Sequence, residues 1–412
     1  MDVNSLKASF ASLEQVESTA NQLQVIGSKL KWTGLVGSSK SISAAAVASQ
    51  SPGNHVFILE DKEQAAYFLN DLQGMYPDSG NILFYPASYR VPYEIEKTDN
   101  ANVVARAEVL DKVAKSKNTW VVTYPKALIE KIPSKKILSK STLKVEVDKS
   151  YSIDFINETL MEVGFDRVDF VYEPGQYSIR GGIIDVFSYS NDHPFRIEFF
   201  GDDVESIRTF DAGTQLSINI HKHFNIVPNI QGDQMQAGNV SFFDFVGEVT
   251  TIWTNSLQYS IDSVEKEYKK AVKVFDALET TTTPTIPSLL FLHQSDISSA
   301  YEKHSIVEFG TDQYFKDSEE FQFDFKPQPS FNKNFDLLTE DLNLRKKNGY
   351  TNLIFSNQPK QIERLEQIFS DMESGVEFNP VHIALHEGFI SPSNKLTCFT
   401  DHQIFERYHR FK

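Results

Sequence analysis

Short apolar runs alternate with segments of helical period over the first 140 or so positions. Val56-Phe57-Ile58-Leu59, Ile82-Leu83-Phe84-Tyr85 and Trp120-Val121-Val122-Thr123 predict buried strands. Between them, positions 62–75, with Ala65, Ala66, Phe68, Leu69 and Leu72 on one side, and positions 102–114 predict helices. Ahead of these, Leu6, Phe10, Leu13, Val16 and Leu23 predict one amphipathic helix over 5–24. Strands alternating with helices are the pattern of parallel βαβ units, so residues 1–141 are expected to form a doubly wound α/β domain.

The pattern changes near Lys140. A helix is predicted over 151–163, then strands over 177–180, 183–187, 195–200 and 204–210, with Gly181-Gly182 as a bulge or bend and Gly201-Asp202-Asp203 as a turn. Residues 142–227 therefore read as a small antiparallel, β-rich (α+β) domain inserted into the first. Residues 228–320 return to mixed character, with a strong helix over 264–278 and a Thr/Pro-rich stretch over 280–287. A further small α/β domain is expected over 321–412, with helices at 335–348 and 360–370 and strands at 351–355, 381–385 and 396–399. The charged, helix-like stretch 406–412 reads as an interrupted element, as in a fragment of something longer.

Composition narrows the function. Forty Lys and Arg stand against 56 Asp and Glu, a formal charge of −16. That argues against a protein that coats nucleic acid with a broad basic face. The lone Cys398 allows no intramolecular disulfide and no cysteine-based zinc site, and fits a reducing cytoplasm. The polar N-terminus has no signal-peptide core, and no run approaches the ~18–20 apolar residues that span a bilayer.

One segment has the outline of a phosphate loop. Gly34-Leu35-Val36-Gly37-Ser38-Ser39-Lys40-Ser41 follows an extended stretch and precedes an Ala-rich helix. The motif needs a second glycine before the lysine so that backbone N–H groups can curl around phosphate; Ser39 stands there. Lys40 and Ser41 remain available for phosphate and Mg²⁺, but no strand ending in paired carboxylates accompanies them. The loop therefore reads as degenerate, and an atypical nucleotide-binding enzyme stays as an alternative. Tyr85, Tyr89, Arg90 and Tyr93 interleave rings with a cation, as in grips for single-stranded nucleic acid, or form a loop with half-buried rings. His221 with His223, and His382 with His386, lack the partners of a metal set, and no nucleophile elbow is present.

The stretch 163–218 carries a long ordered signature. It runs Gly164-Phe165-Asp166-Arg167-Val168-Asp169-Phe170-Val171-Tyr172-Glu173-Pro174-Gly175-Gln176-Tyr177-Ser178-Ile179-Arg180-Gly181-Gly182-Ile183-Ile184-Asp185-Val186-Phe187. Arg196-Ile197-Glu198-Phe199-Phe200-Gly201-Asp202-Asp203-Val204-Glu205-Ser206-Ile207-Arg208, then Phe210-Asp211 and Gln215, continue it. It resembles the interaction domain shared by UvrB, the damage-verifying subunit of bacterial excision repair, and the transcription-repair coupling factors. Three features favour the coupling-factor family. The phosphate loop is defective. Ser178 stands where UvrB has a further basic residue. Tyr93 runs almost directly into the helix at Asn102, leaving little room for UvrB's DNA-clamping hairpin.

The resemblance covers roughly residues 1–320. It implies a UvrB-like α/β multidomain fold: a parallel α/β domain lacking a working ATPase site (1–141 with 228–320), the inserted domain (142–227) and a C-terminal small α/β domain. It implies recruitment of UvrA to stalled RNA polymerase in nucleotide excision repair, through a surface masked until the motor engages the polymerase. It places the UvrA-facing residues at Arg167, Arg180 and Phe187, two guanidinium forks and an exposed aromatic of the kind that anchor interfaces. It implies no cofactor and no catalytic residue in this chain. The ATP- and Mg²⁺-dependent motor, with its contacts to DNA and RNA polymerase, would lie outside it.

Overall fold

Seven parallel strands form the main sheet, and they come from both sides of the inserted segment. In the computed structural model, which describes residues 2–88, 93, 100–229, 239–278 and 285–407, their order is Glu319–Gln322, Lys29–Thr33, Ser305–Glu308, Thr250–Thr254, Asn54–Ile58, Trp120–Thr123 and Ile82–Phe84. The two central strands, Asn54–Ile58 and Thr250–Thr254, are buried at every position, as parallel strands covered on both faces must be.

The helix Lys62–Met75 begins where Asp61 caps the Gln64 amide, and it buries Ala65, Phe68, Leu69 and Leu72. Trp32 and Trp253 meet edge to face at 5.2 Å in the centre of the core. Their indole N–H groups donate to Thr19 Oγ1 (2.9 Å) and His55 Nδ1 (3.1 Å). Burial pushes the His55 imidazole down to about 4, which keeps the accepting nitrogen unprotonated at neutral pH.

Two short antiparallel pairs lead out of this domain. Ile132–Pro133 pairs with Asn239–Val240, and Leu143–Glu146 with His223–Ile226, so the outgoing and returning chains run side by side. Beyond them lies a six-stranded sheet whose spatial order follows the chain: Asp166–Arg167, Gln176–Arg180, Ile183–Val186, Phe195–Phe200, Asp203–Phe210 and Ser217–His221. The C-terminal sheet has the order Lys326–Pro327, Phe389–Ser391, Leu396–Thr400, Thr351–Phe355, Asn379–Val381. The helices Phe335–Lys347 and Pro359–Asp371 contribute to its apolar core.

Several elements differ from the sequence expectation, and one is the strand expected over 381–385, which is Asn379–Val381. The single helix over 5–24 is two helices, Val3–Ala11 and Glu14–Gln22. Ser12 Oγ donates back to the Ser9 carbonyl and Leu13 is extended, so the chain turns there while Leu13 stays buried. Gly181-Gly182 is not a bulge but a two-residue hairpin turn, with Arg180 paired to Ile183 and Gly181 at φ +60°. The expected helix over 264–278 begins earlier, at Leu257, because Ser256 caps the Tyr259 amide, and it runs to Asp276. The Thr/Pro-rich stretch lies mostly outside the described residues, as does the chain after Arg407.

Buried Arg106 locks the loop edge of the main sheet. Its guanidinium pairs with Glu130 at 2.9 Å, donates to the carbonyls of Pro86 and Ala127 at 2.9 Å each, and lies 4.3 Å over the Tyr85 ring. Arg106→Ala is expected to cost about 3–5 kcal/mol, the scale for breaking a buried ion pair. Urea denaturation measures it, and a loss below about 1 kcal/mol would contradict this role.

Candidate functional site

Side-chain alternation divides the six-stranded sheet into two faces. Tyr177, Ile184, Val186, Ile197 and Ile207 form a core with Ile156 and Leu160 of the helix Ile153–Glu162. Across the opposite face, the register aligns Ser178, Asp185, Arg196 and Arg208 on successive strands, with Arg180 beside Ile183. Asp185 is the centre of this face. Its side chain is buried, and it accepts from Arg196 through Nε (2.7 Å) and Nη2 (2.8 Å) and from Arg180 Nη2. Arg180 Nη1 donates to the Asp169 carbonyl at 3.0 Å, and its guanidinium lies 5.0 Å from the Phe170 ring.

Two guanidinium groups thus share one carboxylate, leaving a local excess of positive charge. The Arg180 side chain remains 37% exposed. It is held in place yet reachable, which lowers the ordering cost of a contact.

Arg167 is exposed on the short edge strand Asp166–Arg167. Its register partner is Tyr177, so it belongs to the helix side of the sheet and not to the Arg180 face. Phe187 departs from the expected exposed aromatic. It is 7% exposed and packs with Val171 and Phe210, because its backbone pairs with Gly175 and Gln176 on the inner side of the Glu-Pro-Gly loop. Gly175, at φ +87°, has no room for a Cβ, which would meet the Tyr189 hydroxyl at 2.2 Å. Other rings of this domain are accessible: Phe170 (52% exposed), 5.0 Å from the Arg180 guanidinium, Tyr172 in the same loop as Phe170, and Phe200 at the end of its strand. Alternation from Ile197 onward places Phe200 outward, a signal already present in the sequence.

The phosphate-loop segment has the expected strand–loop–helix setting, between Lys29–Thr33 and Ser39–Ala48. Its Gly34 and Gly37 have φ of +76° and +51°. Its amides, however, already have acceptors. Ser38 N–H donates to the Glu387 carbonyl at 3.1 Å, Ser39 N–H to Val36 at 3.1 Å and Lys40 N–H to Gly37 at 3.4 Å. Ser39 is fully buried, and its hydroxyl bonds both the N–H and the C=O of Val36.

Ser41 Oγ donates to Asp71 Oδ2 at 2.7 Å, and the His386 N–H donates to Asp71 Oδ1 at 2.9 Å. Ser38 Oγ accepts from Glu387 N–H at 3.0 Å, and His386 stacks on Tyr67 with ring centres 3.6 Å apart. The cavity left beside Lys40, Ser41 and Asp71 is about 70 Å³. Ligand pockets are roughly 300–1,000 Å³, so a nucleotide does not fit here without displacing residues 386–388.

Of the aromatic and basic run, Tyr85 is fully buried under Arg106, and Tyr93 packs against Phe275 and Phe291. Tyr85 cannot stack on a base in this arrangement; Tyr89 and Arg90 lie outside the described residues. His386 is engaged with Tyr67, and His221 bonds Thr209 Oγ1 at 3.2 Å. Among the described residues, no three His, Cys, Asp or Glu side chains are grouped to hold a metal ion, and no helix is long and apolar enough to cross a membrane.

Comparison with known proteins agrees with this geometry. Residues 143–231 match the UvrB interaction domain, a span that includes the whole six-stranded sheet. The chain is similar to the transcription-repair-coupling factors of Bacillus subtilis (31% identical, 47% of this chain and 16% of that protein), Myxococcus xanthus (28%, 49% and 17%) and Borreliella burgdorferi (27%, 65% and 22%). It therefore spans about a sixth to a fifth of the length of these relatives. It is an α/β multidomain chain with an inserted β-rich domain, and it is similar over about half its length to transcription-repair-coupling factors.

Asp71 makes the joint between the main and C-terminal sheets sensitive to pH. Burial pushes its carboxyl from 3.8 up to about 7, against the lowering effect of Ser41, Ser38 and the His386 amide. A raised folded-state value means that the folded protein holds the proton more tightly than the unfolded chain. The resulting stabilisation is full below about pH 4 and is lost as pH rises through about 7. Other groups oppose this trend, buried His55 among them, so the measurement is the urea-denaturation stability of the wild type relative to Asp71→Asn, which is expected to fall as pH rises from about 4 to about 7. A difference that does not change with pH would contradict the assignment.

Proposed function

We propose that this chain is a docking module that binds UvrA and so recruits it to stalled RNA polymerase in transcription-coupled excision repair. The observation that carries the reading is the match of residues 143–231 to the UvrB interaction domain, on a sheet face where Arg180 is held by Asp185 and Asp169 yet accessible. Similarity to coupling factors from three organisms supports the same assignment. In this reading Arg180 is the principal contact and Arg167 meets the partner around the edge strand. Phe187 acts from within, by packing under the loop that carries Phe170.

The chain itself would carry no catalytic residue and need no cofactor, and it would work in the cytoplasm. Nucleotide is excluded by residues 386–388 over the loop, leaving Lys40 and Ser41 without a phosphate to hold. ATP and Mg²⁺ would serve a translocase motor in the parts of the relatives that this chain does not cover. The same parts would contact DNA and RNA polymerase. The formal charge of −16 is consistent with a module that does not bind DNA strongly by itself.

Calorimetric titration of the chain into UvrA tests this function. Wild type is expected to bind, and Arg180→Ala to lose about 1–3 kcal/mol, the scale of an arginine hot spot. Equal binding by both would move the contact away from Arg180. No binding by a folded chain would overturn the docking function.

A further inference from the structure

We infer that Phe200 is the apolar anchor of the UvrA-docking face, the place that the motif resemblance gives to Phe187. The inference rests on the docking function proposed above. Phe200 is 80% exposed. It ends the strand Phe195–Phe200 and pairs with Asp203 across a tight turn, at Gly201 φ +64°. The N–H of Phe199 donates to the Gly182 carbonyl at 2.8 Å, so this turn lies beside the Gly181-Gly182 turn that follows Arg180. A Cβ on Gly182 would stand 2.9 Å from the Phe199 carbonyl oxygen, which shows how closely the two tips approach.

The corner therefore carries a fixed guanidinium, the exposed Phe170 ring 5.0 Å from it and an outward phenyl ring on the adjoining tip. Clustered aromatic and arginine side chains are the usual composition of interface hot spots. Around Asp185, Arg180 and Arg196 bring two positive charges to one carboxylate, in a chain of net −16. The fitting partner surface presents a carboxylate to Arg180 and an apolar pocket to Phe200.

Another apolar group on the same sheet face is a useful contrast. Ile220 is 87% exposed on the far edge strand, and its cross-strand neighbour Arg208 is held by Glu198. Four strand spacings separate it from Arg180's strand, about 19 Å. It lies beyond the charged corner and is not part of the anchor.

The experiment is titration of UvrA with wild type, Phe200→Ala and Ile220→Ala, alongside thermal melting and sedimentation of each chain. Both side chains are exposed, so all three should melt together. The expected result is a roughly ten- to hundredfold weaker affinity for Phe200→Ala, and an affinity within about twofold of wild type for Ile220→Ala. Wild-type affinity in Phe200→Ala would overturn the anchor and leave UvrA docking standing. Equal loss in both variants would also overturn it, by spreading the contact over the whole sheet. A wild-type dimer that Phe200→Ala dissolves would assign the ring to self-association instead. Absence of wild-type binding would overturn both readings together.

Discussion

The parallel pairing of Asn54–Ile58 with Thr250–Thr254 is the contact on which the rest of the molecule depends. It joins the chain before the inserted domain to the chain after it, and Asn54 Nδ2 adds a bond to the Val246 carbonyl across 192 positions. Such long closures are entropically costly, and here the outgoing and returning chains are tied progressively. Ile132–Pro133 meets Asn239–Val240, then Leu143–Glu146 meets His223–Ile226, and the Ser188 hydroxyl accepts from the Val227 N–H at 2.8 Å. The inserted sheet is therefore built on a two-chain stem. Its Arg180 face is displayed to one side of a core that it does not help to close.

Within the insertion, one buried carboxylate organises the display. An isolated ion at the Asp185 position would be costly to desolvate, and the two arginines offset that cost with directed hydrogen bonds. Arg196 also lies 4.5 Å over the Phe210 ring, so the pair is wedged between an inner and an outer aromatic. Beside it, the half-buried Glu198 pairs with Arg208 and accepts from Ser206 Oγ at 2.7 Å. The charged groups of this face are paired with one another, with one guanidinium in excess around Asp185, and the partly exposed Arg180 stands at its corner.

Local pattern carried most of the architecture. The helix Lys62–Met75 was legible to the residue because its apolar stripe begins at a capping Asp61. The strand Phe195–Phe200 was legible because buried and exposed positions alternate strictly. Two kinds of information were not local. Ser12 and Leu13 continue the helical period of 5–24, yet Leu13 is buried only if the chain turns there, a demand of packing and not of periodicity. Phe187 follows a strand whose alternation permits either side, and the choice was made by Val171 and Phe210 from other segments. Phe200 was legible by alternation, but its place beside Arg180 required the register of two hairpins.

The glycine-containing loop at 34–41 shows how a strand–loop–helix turn can be satisfied from within the protein. A strand that turns abruptly into a helix exposes N–H groups that must find acceptors. In a working phosphate loop the anion supplies them. Here the Ser39 hydroxyl turns inward to Val36, and the Glu387 carbonyl accepts from the Ser38 amide. Ser41, in the place of a magnesium-binding hydroxyl, donates to Asp71, which also receives the amide of His386. The left-handed Gly34 and Gly37 keep their own reasons to be glycine: a Cβ on Gly34 would stand 2.0 Å from the Phe323 carbonyl oxygen, and one on Gly37 would stand 3.0 Å from Glu387. The same backbone that would cradle an anion thus serves as a socket between two sheets. That arrangement accounts for glycine at 34 and 37 and for Ser39 beside them, whose hydroxyl is bonded within the turn.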